Sequence, residues 1–127
     1  MTATFEWGDA EHTVIHIAYQ GRWTWSEVHQ TQAEIHELIR DRDDAVNYIV
    51  TWDNENWIPG GISENLGLLF DRLRSVPNIG LVVIVSTNAL FEPLIRLFIR
   101  LTGKPPFEFA FADSVEEAYI LLEPAQV

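Results

Sequence analysis

The chain has 127 residues, no cysteine and a formal net charge of −11. That length suits one domain with a core of its own, and the lack of cysteine excludes disulfides, iron–sulfur clusters, thiolate zinc sites and cysteine nucleophiles. The negative balance argues against nucleic acid, whose phosphates are met by lysine and arginine.

Hydrophobic periodicity switches repeatedly between two and about 3.6, with turn residues at each change. Residues 4–7 and 13–19, separated by a loop holding Gly8 and Asp9, read as an antiparallel pair of strands. Thr24-Trp25-Ser26-Glu27 is a capping box. The helix it opens carries Trp25, Val28, Ile35, Leu38 and Ile39 at helical spacing and ends near the charged run 40–44. A strand over 46–52 and a loop over 53–61 follow, and Ser63 is the expected cap of a helix reaching Arg74, with Leu66, Leu69, Phe70 and Leu73 as its apolar stripe. Residues 79–85, nearly all branched aliphatic, suit a strand buried on both faces.

The next helix, 89–102, is apolar around most of its circumference. Glu92, Arg96 and Arg100 form one narrow stripe, with Pro93 in the first turn and Gly103 at the stop. Its leucines Leu90, Leu94, Leu97 and Leu101 are expected to pack on the sheet, leaving Phe91, Ile95 and Phe98 for a partner. A strand over 107–112 and a helix capped by Asp113 complete the order β-β-α-β-α-β-α-β-α. This order predicts an α/β fold whose single five-stranded sheet is mostly parallel with an antiparallel first strand. One strand parity collects Ile15, Ile17, Tyr19, Val46, Tyr48, Val50, Trp52, Phe107, Phe109 and Phe111, while the other is smaller and more polar. Such asymmetry suits a main helix layer on one side.

The element order, the segment Gly21-Arg22-Trp23-Thr24-Trp25-Ser26-Glu27, the strand entry Asn78-Ile79-Gly80 and the closing run from Asp113 to Leu122 resemble STAS-type, SpoIIAA-like domains over nearly the whole chain. The resemblance implies a regulatory or interaction role. That family includes anti-sigma-factor antagonists, regulatory domains of anion transporters, and small bacterial proteins of unknown role related in fold to lipid-binding domains. The antagonists carry an Asp-Ser-Ser-Gly-type element with a phosphorylated serine. The corresponding region here, from Asp53 to Ser63, does not keep it. Ser63 stands as a weak phosphosite candidate near a helix start, because an N-cap role explains it without function.

No phosphate loop, dinucleotide fingerprint or nucleophile elbow is present, so neither a catalytic residue nor a cofactor is expected. Asp53 and Glu55 with Asn54 and Asn56 form the most polar cluster, open to a cation or general-base role or to that of a solvated loop. His29 and His36 are two helical turns apart, and no metal site is expected from them or from His12 and His16. Trp23, Trp25, Trp52 and Trp57, with Asp53, gather near strand ends and are candidates for walling an apolar pocket, or for plain core packing.

Charge is unevenly distributed. From Met1 to Asp71 there are 13 acids and 3 bases, but from Arg72 to Lys104 one acid faces 5 bases, so the apolar helix lies in a basic island. The first residues lack the pattern of a secretory signal, and residues 89–101 are too short and too charged to span a bilayer. A cytoplasmic protein that is not an integral membrane protein is expected. The leading functional expectation is a non-catalytic regulatory or protein-interaction domain, homodimeric through helix 89–102, with Arg96 and Arg100 flanking the contact. The alternative is a binder of a lipid-like, apolar or amphipathic small molecule, with that helix as its lid.

Overall fold

The computed structural model describes residues 3–53, 60–76, 78–86, 91–103 and 107–122 and, within these, all side chains except those of Asp53, Ser63, Ser86, Phe91 and Thr102. The elements are β1 (Ala3–Trp7), β2 (Val14–Gln20), α1 (Trp25–Ile39), β3 (Val46–Asp53), α2 (Ile62–Leu73), β4 (Ile79–Ser86), α3 (Phe91–Thr102), β5 (Glu108–Ala112) and α4 (Val115–Leu122). Their order is the one the periodicity predicts. β1 pairs antiparallel with β2, and β2 to β5 are parallel, in the spatial order β1-β2-β3-β4-β5.

Every crossover therefore advances by one strand in the same direction. Right-handed connections that keep one direction stack α1, α2 and α3 over a single face. The buried residues agree: Trp25, Val28 and Ile35 of α1, Leu66, Leu69 and Phe70 of α2, and Ile95 and Phe98 of α3 join Ile15, Ile17, Tyr48 and Val50 in the main core. On the other face Val14, Ile49, Val83, Val85 and Ala112 meet Ala118 of α4. β4 is covered on both sides, with Val82 and Ile84 in the first core and Val83 and Val85 in the second.

Local chemistry sets most of the ends. Thr24 caps α1, its hydroxyl accepting from the Glu27 N–H at 3.2 Å. Leu38, expected on the apolar stripe, is exposed instead, because Thr31 and Gln32 share the buried face with Trp25, Val28, Ile35 and Ile39. Ser63 is not the cap of α2. The helix is capped two residues earlier, by Gly61 at φ 78°, a left-handed conformation that glycine adopts without strain, which places Ser63 second in the helix. At α4 the cap is Ser114 rather than Asp113: the Ser114 hydroxyl accepts from the Glu117 N–H at 3.1 Å. Gly103, at φ 103°, closes α3, donating its N–H to the Ile99 carbonyl at 2.8 Å.

The entry to β4 is held by two asparagines. Asn78 is buried, and its side-chain amide donates to the Ile39 carbonyl at 3.0 Å while its backbone carbonyl accepts from the Val46 N–H at 2.8 Å, joining the end of α1 to β3. Where the β3–β4 register shifts between Val46 and Tyr48, the Asn47 Oδ1 accepts from the Leu81 N–H at 2.8 Å. That oxygen occupies the space a side chain at Gly80 would need.

Gly67 is the opposite case, a mid-helix glycine in α2 with open space where a methyl would go. Urea unfolding is expected to separate the two: Gly67→Ala gains about 0.5–1 kcal/mol through helix propensity and lost chain entropy. Gly80→Ala loses about 1–3 kcal/mol through overpacking and displacement of a strand hydrogen bond. Equal midpoint shifts in the two variants would contradict this account of the β4 entry.

Candidate functional site

Three helices over five strands leave a gap. Between the main sheet face and α1–α3 lies a cavity of about 60 Å³, space for about four to six water-sized groups. Its floor is Tyr19 of β2, Tyr48, Val50 and Trp52 of β3, Val82 and Ile84 of β4, and Phe109 of β5 with Phe107 just before it. Val28 and Gln32 of α1 wall one side. Leu66, Leu69, Phe70 and Leu73 of α2 and Ile95 and Ile99 of α3 form the roof.

Aromatic contacts stiffen this chamber. Tyr19 stacks on Trp52 with centroids 5.2 Å apart, and Trp23 touches both rings, at 6.0 and 5.9 Å, while meeting Trp25 edge-on at 5.0 Å. Across the roof Phe70 takes Phe98 and Phe107 in edge-on contacts at 5.6 and 5.5 Å. Edge-to-face pairs add to the area each ring buries and favour particular orientations.

The polar content of the cavity is small and specific. No lining residue among those described carries a charge. Tyr19, Tyr48 and Gln32 are 0%, 2% and 5% exposed, and the two phenol oxygens and the Gln32 Oε1 have no hydrogen-bond partner. Burial pushes the Tyr19 phenol above its usual pKa, and the nearby Gln32 amide offsets part of that rise without completing a hydrogen bond of ordinary geometry. Burial likewise raises Tyr48, helped by the neighbouring Tyr19. Both phenols thus stay protonated at neutral pH, able to donate and accept but not to act as bases. A buried, unmade hydrogen bond costs about 1–3 kcal/mol. Three such groups belong to residues of β2, β3 and α1 that line the chamber, but their polar atoms are themselves almost wholly buried and the surface facing the space is apolar.

The residues singled out in the sequence fall in different places. Trp23, Trp25 and Trp52 do come together, but only Trp52 reaches the cavity, the other two packing behind it as core. Asp53 ends β3 opposite Gln20. The Asp53 side chain, Trp57 and the rest of 54–59 lie outside the described residues, as do the side chains of Ser63 and Phe91. For α3 the expected orientation is reversed. Ile95 and Phe98 are 4% and 9% exposed and face the core, whereas Leu97 and Leu101 are 46% and 75% exposed. Arg96 is paired with Glu92 at 2.9 Å and lies over the Phe111 ring at 4.7 Å, and Arg100 is exposed.

Two of the histidines are engaged in the framework: His29 Nε2 is 2.9 Å from Asn65 Oδ1, and His16 Nε2 is 2.9 Å from Thr51 Oγ1; the His36 Nε2 is buried without a hydrogen-bond partner. Among the described residues no cluster of three acids or histidines is arranged to hold a metal ion, and no helix is long and apolar enough to cross a membrane. No family model, characterised protein or solved structure matches the chain.

The polar trio is what the sequence reading missed, although it left a trace. Gln32 interrupts the buried stripe of α1, and Tyr19 and Tyr48 bring hydroxyls to the most apolar strand parity. Because the Tyr48 hydroxyl is buried and unpaired, the ligand-free Tyr48→Phe variant is expected to equal or exceed wild type in stability, by up to about 1–3 kcal/mol. Chemical denaturation checks this, and a clear loss of stability would mean that the hydroxyl has a partner.

Proposed function

We propose that the chain is a non-catalytic binding domain that holds a small, mainly apolar molecule between its sheet and helices α1–α3. The supporting observation is the apolar cavity enclosed by β2–β5 and α1–α3, whose described lining residues carry no charge. The available space sets the scale of the ligand. About four to six heavy atoms fit as the cavity stands, and a longer amphipathic molecule requires Ile95 and Ile99 to move outward with α3, the lid in this reading. A ligand that small binds no more tightly than about micromolar, given the ceiling on binding energy per atom. The likeness to STAS-type, SpoIIAA-like domains belongs to the same proposal, with ligand occupancy as the regulatory input.

Trp52 lines the cavity and reports on its contents. Titration of small alcohols, amides and ketones is expected to perturb tryptophan fluorescence saturably in wild type. Val50→Phe, which fills the chamber from the sheet side, should weaken that response at least tenfold while leaving far-UV circular dichroism intact. The reading fails if no compound binds wild type, or if Val50→Phe binds as well.

A second reading, self-association through α3, is favoured by the exposed leucines. Leu97 and Leu101 stand beside Arg96 and Arg100 on the outer side and, with Ile62, Leu66 and Leu94, line a groove between α2 and α3. Burying two leucines fully contributes about 3–6 kcal/mol, against association costs of about 4–15 kcal/mol. The ridge alone does not sustain a tight dimer, which is why ligand binding ranks first. Sedimentation velocity decides the matter: a dimer dispersed by Leu101→Asp supports self-association, and a wild type that remains monomeric at high micromolar concentration removes it.

A further inference from the structure

β1 is an edge strand with an open outer side. Among the described strands it pairs only with β2, and the Gly8 N–H donates to the Val14 carbonyl at 2.7 Å, which sets the alternation along this antiparallel ladder. Thr4 and Glu6 share the phase of Gly8 and bond inward. Ala3, Phe5 and Trp7 therefore turn their backbone N–H and C=O groups outward, where no described strand meets them. We propose that this edge docks an extended, basic segment of another protein, which adds a sixth strand beside β1 and sends alternate side chains toward α1.

Between β1 and α1 runs a groove of about 270 Å³, lined on the strand side by Ala3, Thr4 and Phe5 and on the helix side by residues that include Glu27 and Glu34. None of its described lining residues is shared with the cavity. An unpaired strand edge supplies main-chain hydrogen bonds, and a groove at its side receives every second side chain of an added strand. Charge selects the occupant. No base is among the described lining residues, Glu34 is exposed, and Glu6 is exposed on the opposite face of β1, so the edge is acidic on both sides. Lysine or arginine in the added strand is attracted by these carboxylates, whereas an acidic strand is repelled. A second copy of this chain fits less well. Pairing β1 with itself would bring the same acids of both copies together, in molecules that each carry a net charge of −11. Charged side chains on an edge strand guard against such self-pairing, and here they leave the edge open to a partner of opposite charge.

Three end-blocked hexapeptides test this with ¹⁵N-labelled full-length protein in low-salt buffer at pH 7. One alternates Lys and Val, one alternates Glu and Val, and the third is the Lys-Val peptide N-methylated along its backbone, which keeps the charge and loses the hydrogen-bond donors. The Lys-Val peptide is expected to bind saturably and to slow hydrogen exchange of the Phe5 amide at least tenfold, with the other two at least tenfold weaker in affinity. Gln30→Lys/Glu34→Lys, at two exposed positions of α1, should cut the affinity for the Lys-Val peptide at least fivefold. The inference is overturned if the Lys-Val peptide does not bind at millimolar concentration, or binds without slowing Phe5 exchange. It is equally overturned if the Glu-Val or the methylated peptide matches it, or if the double lysine variant binds it undiminished. Protection of the Phe5 amide that grows with protein concentration in the absence of peptide would make a second copy the occupant, and would overturn it as well.

Discussion

The direction of the crossovers governs this molecule. Because β2, β3, β4 and β5 are added in order, connections that keep one hand commit three helices to one sheet face and leave the other to the last element. A fold that reversed direction midway would share its helices between the faces. Here the crowded face must be filled by side chains from three helices whose axes are set by their strands. The largest residues of the chain gather there: Trp23, Trp25, Trp52, Tyr19, Tyr48, Phe70 and Phe98. Large rings with fixed shapes do not tile a surface completely, and the residual space under α2 and α3 is the cavity. Site and core are therefore one construction. The opposite face, with small residues such as Ala112 and Ala118, packs against α4.

That relation explains which features were legible in the sequence. Strand parity and helix periodicity depend on the residues within an element, and they yield the order of elements, the antiparallel start, the doubly covered β4 and the asymmetric faces. Caps proved less readable because neighbouring residues compete for the same task. Asp113 and Ser114 can both accept from a helix N–H, and a glutamate stands three residues beyond each; only the path of the backbone selects Ser114. At α2 a side chain was expected to start the helix, yet a left-handed glycine does so.

The orientation of α3 was not legible for a geometric reason. Its charged stripe is centred on Arg96, and Ile95 and Leu97 lie about 100° from it on opposite sides of the helix. Solvation of the stripe leaves the two flanks equivalent, and both are apolar. Contacts distant in sequence break the tie: Phe98 meets Phe70 edge-on, and Arg96 settles over Phe111. Ile95 is thereby turned inward and Leu97 outward. No periodicity within one helix contains that choice, since it is made by α2 and β5.

The polar trio was readable in principle, and the reason it was passed over is physical. A tyrosine on an apolar strand is ordinarily read by its ring, whose burial dominates its energetics, with the hydroxyl assumed to find a partner at the boundary of the core. Tyr19 and Tyr48 do not reach a boundary. Their hydroxyls end inside without a partner, as does the Gln32 Oε1, and the three groups together cost more stability than a core of phenylalanine and leucine would. A core selected for stability alone has no use for this arrangement.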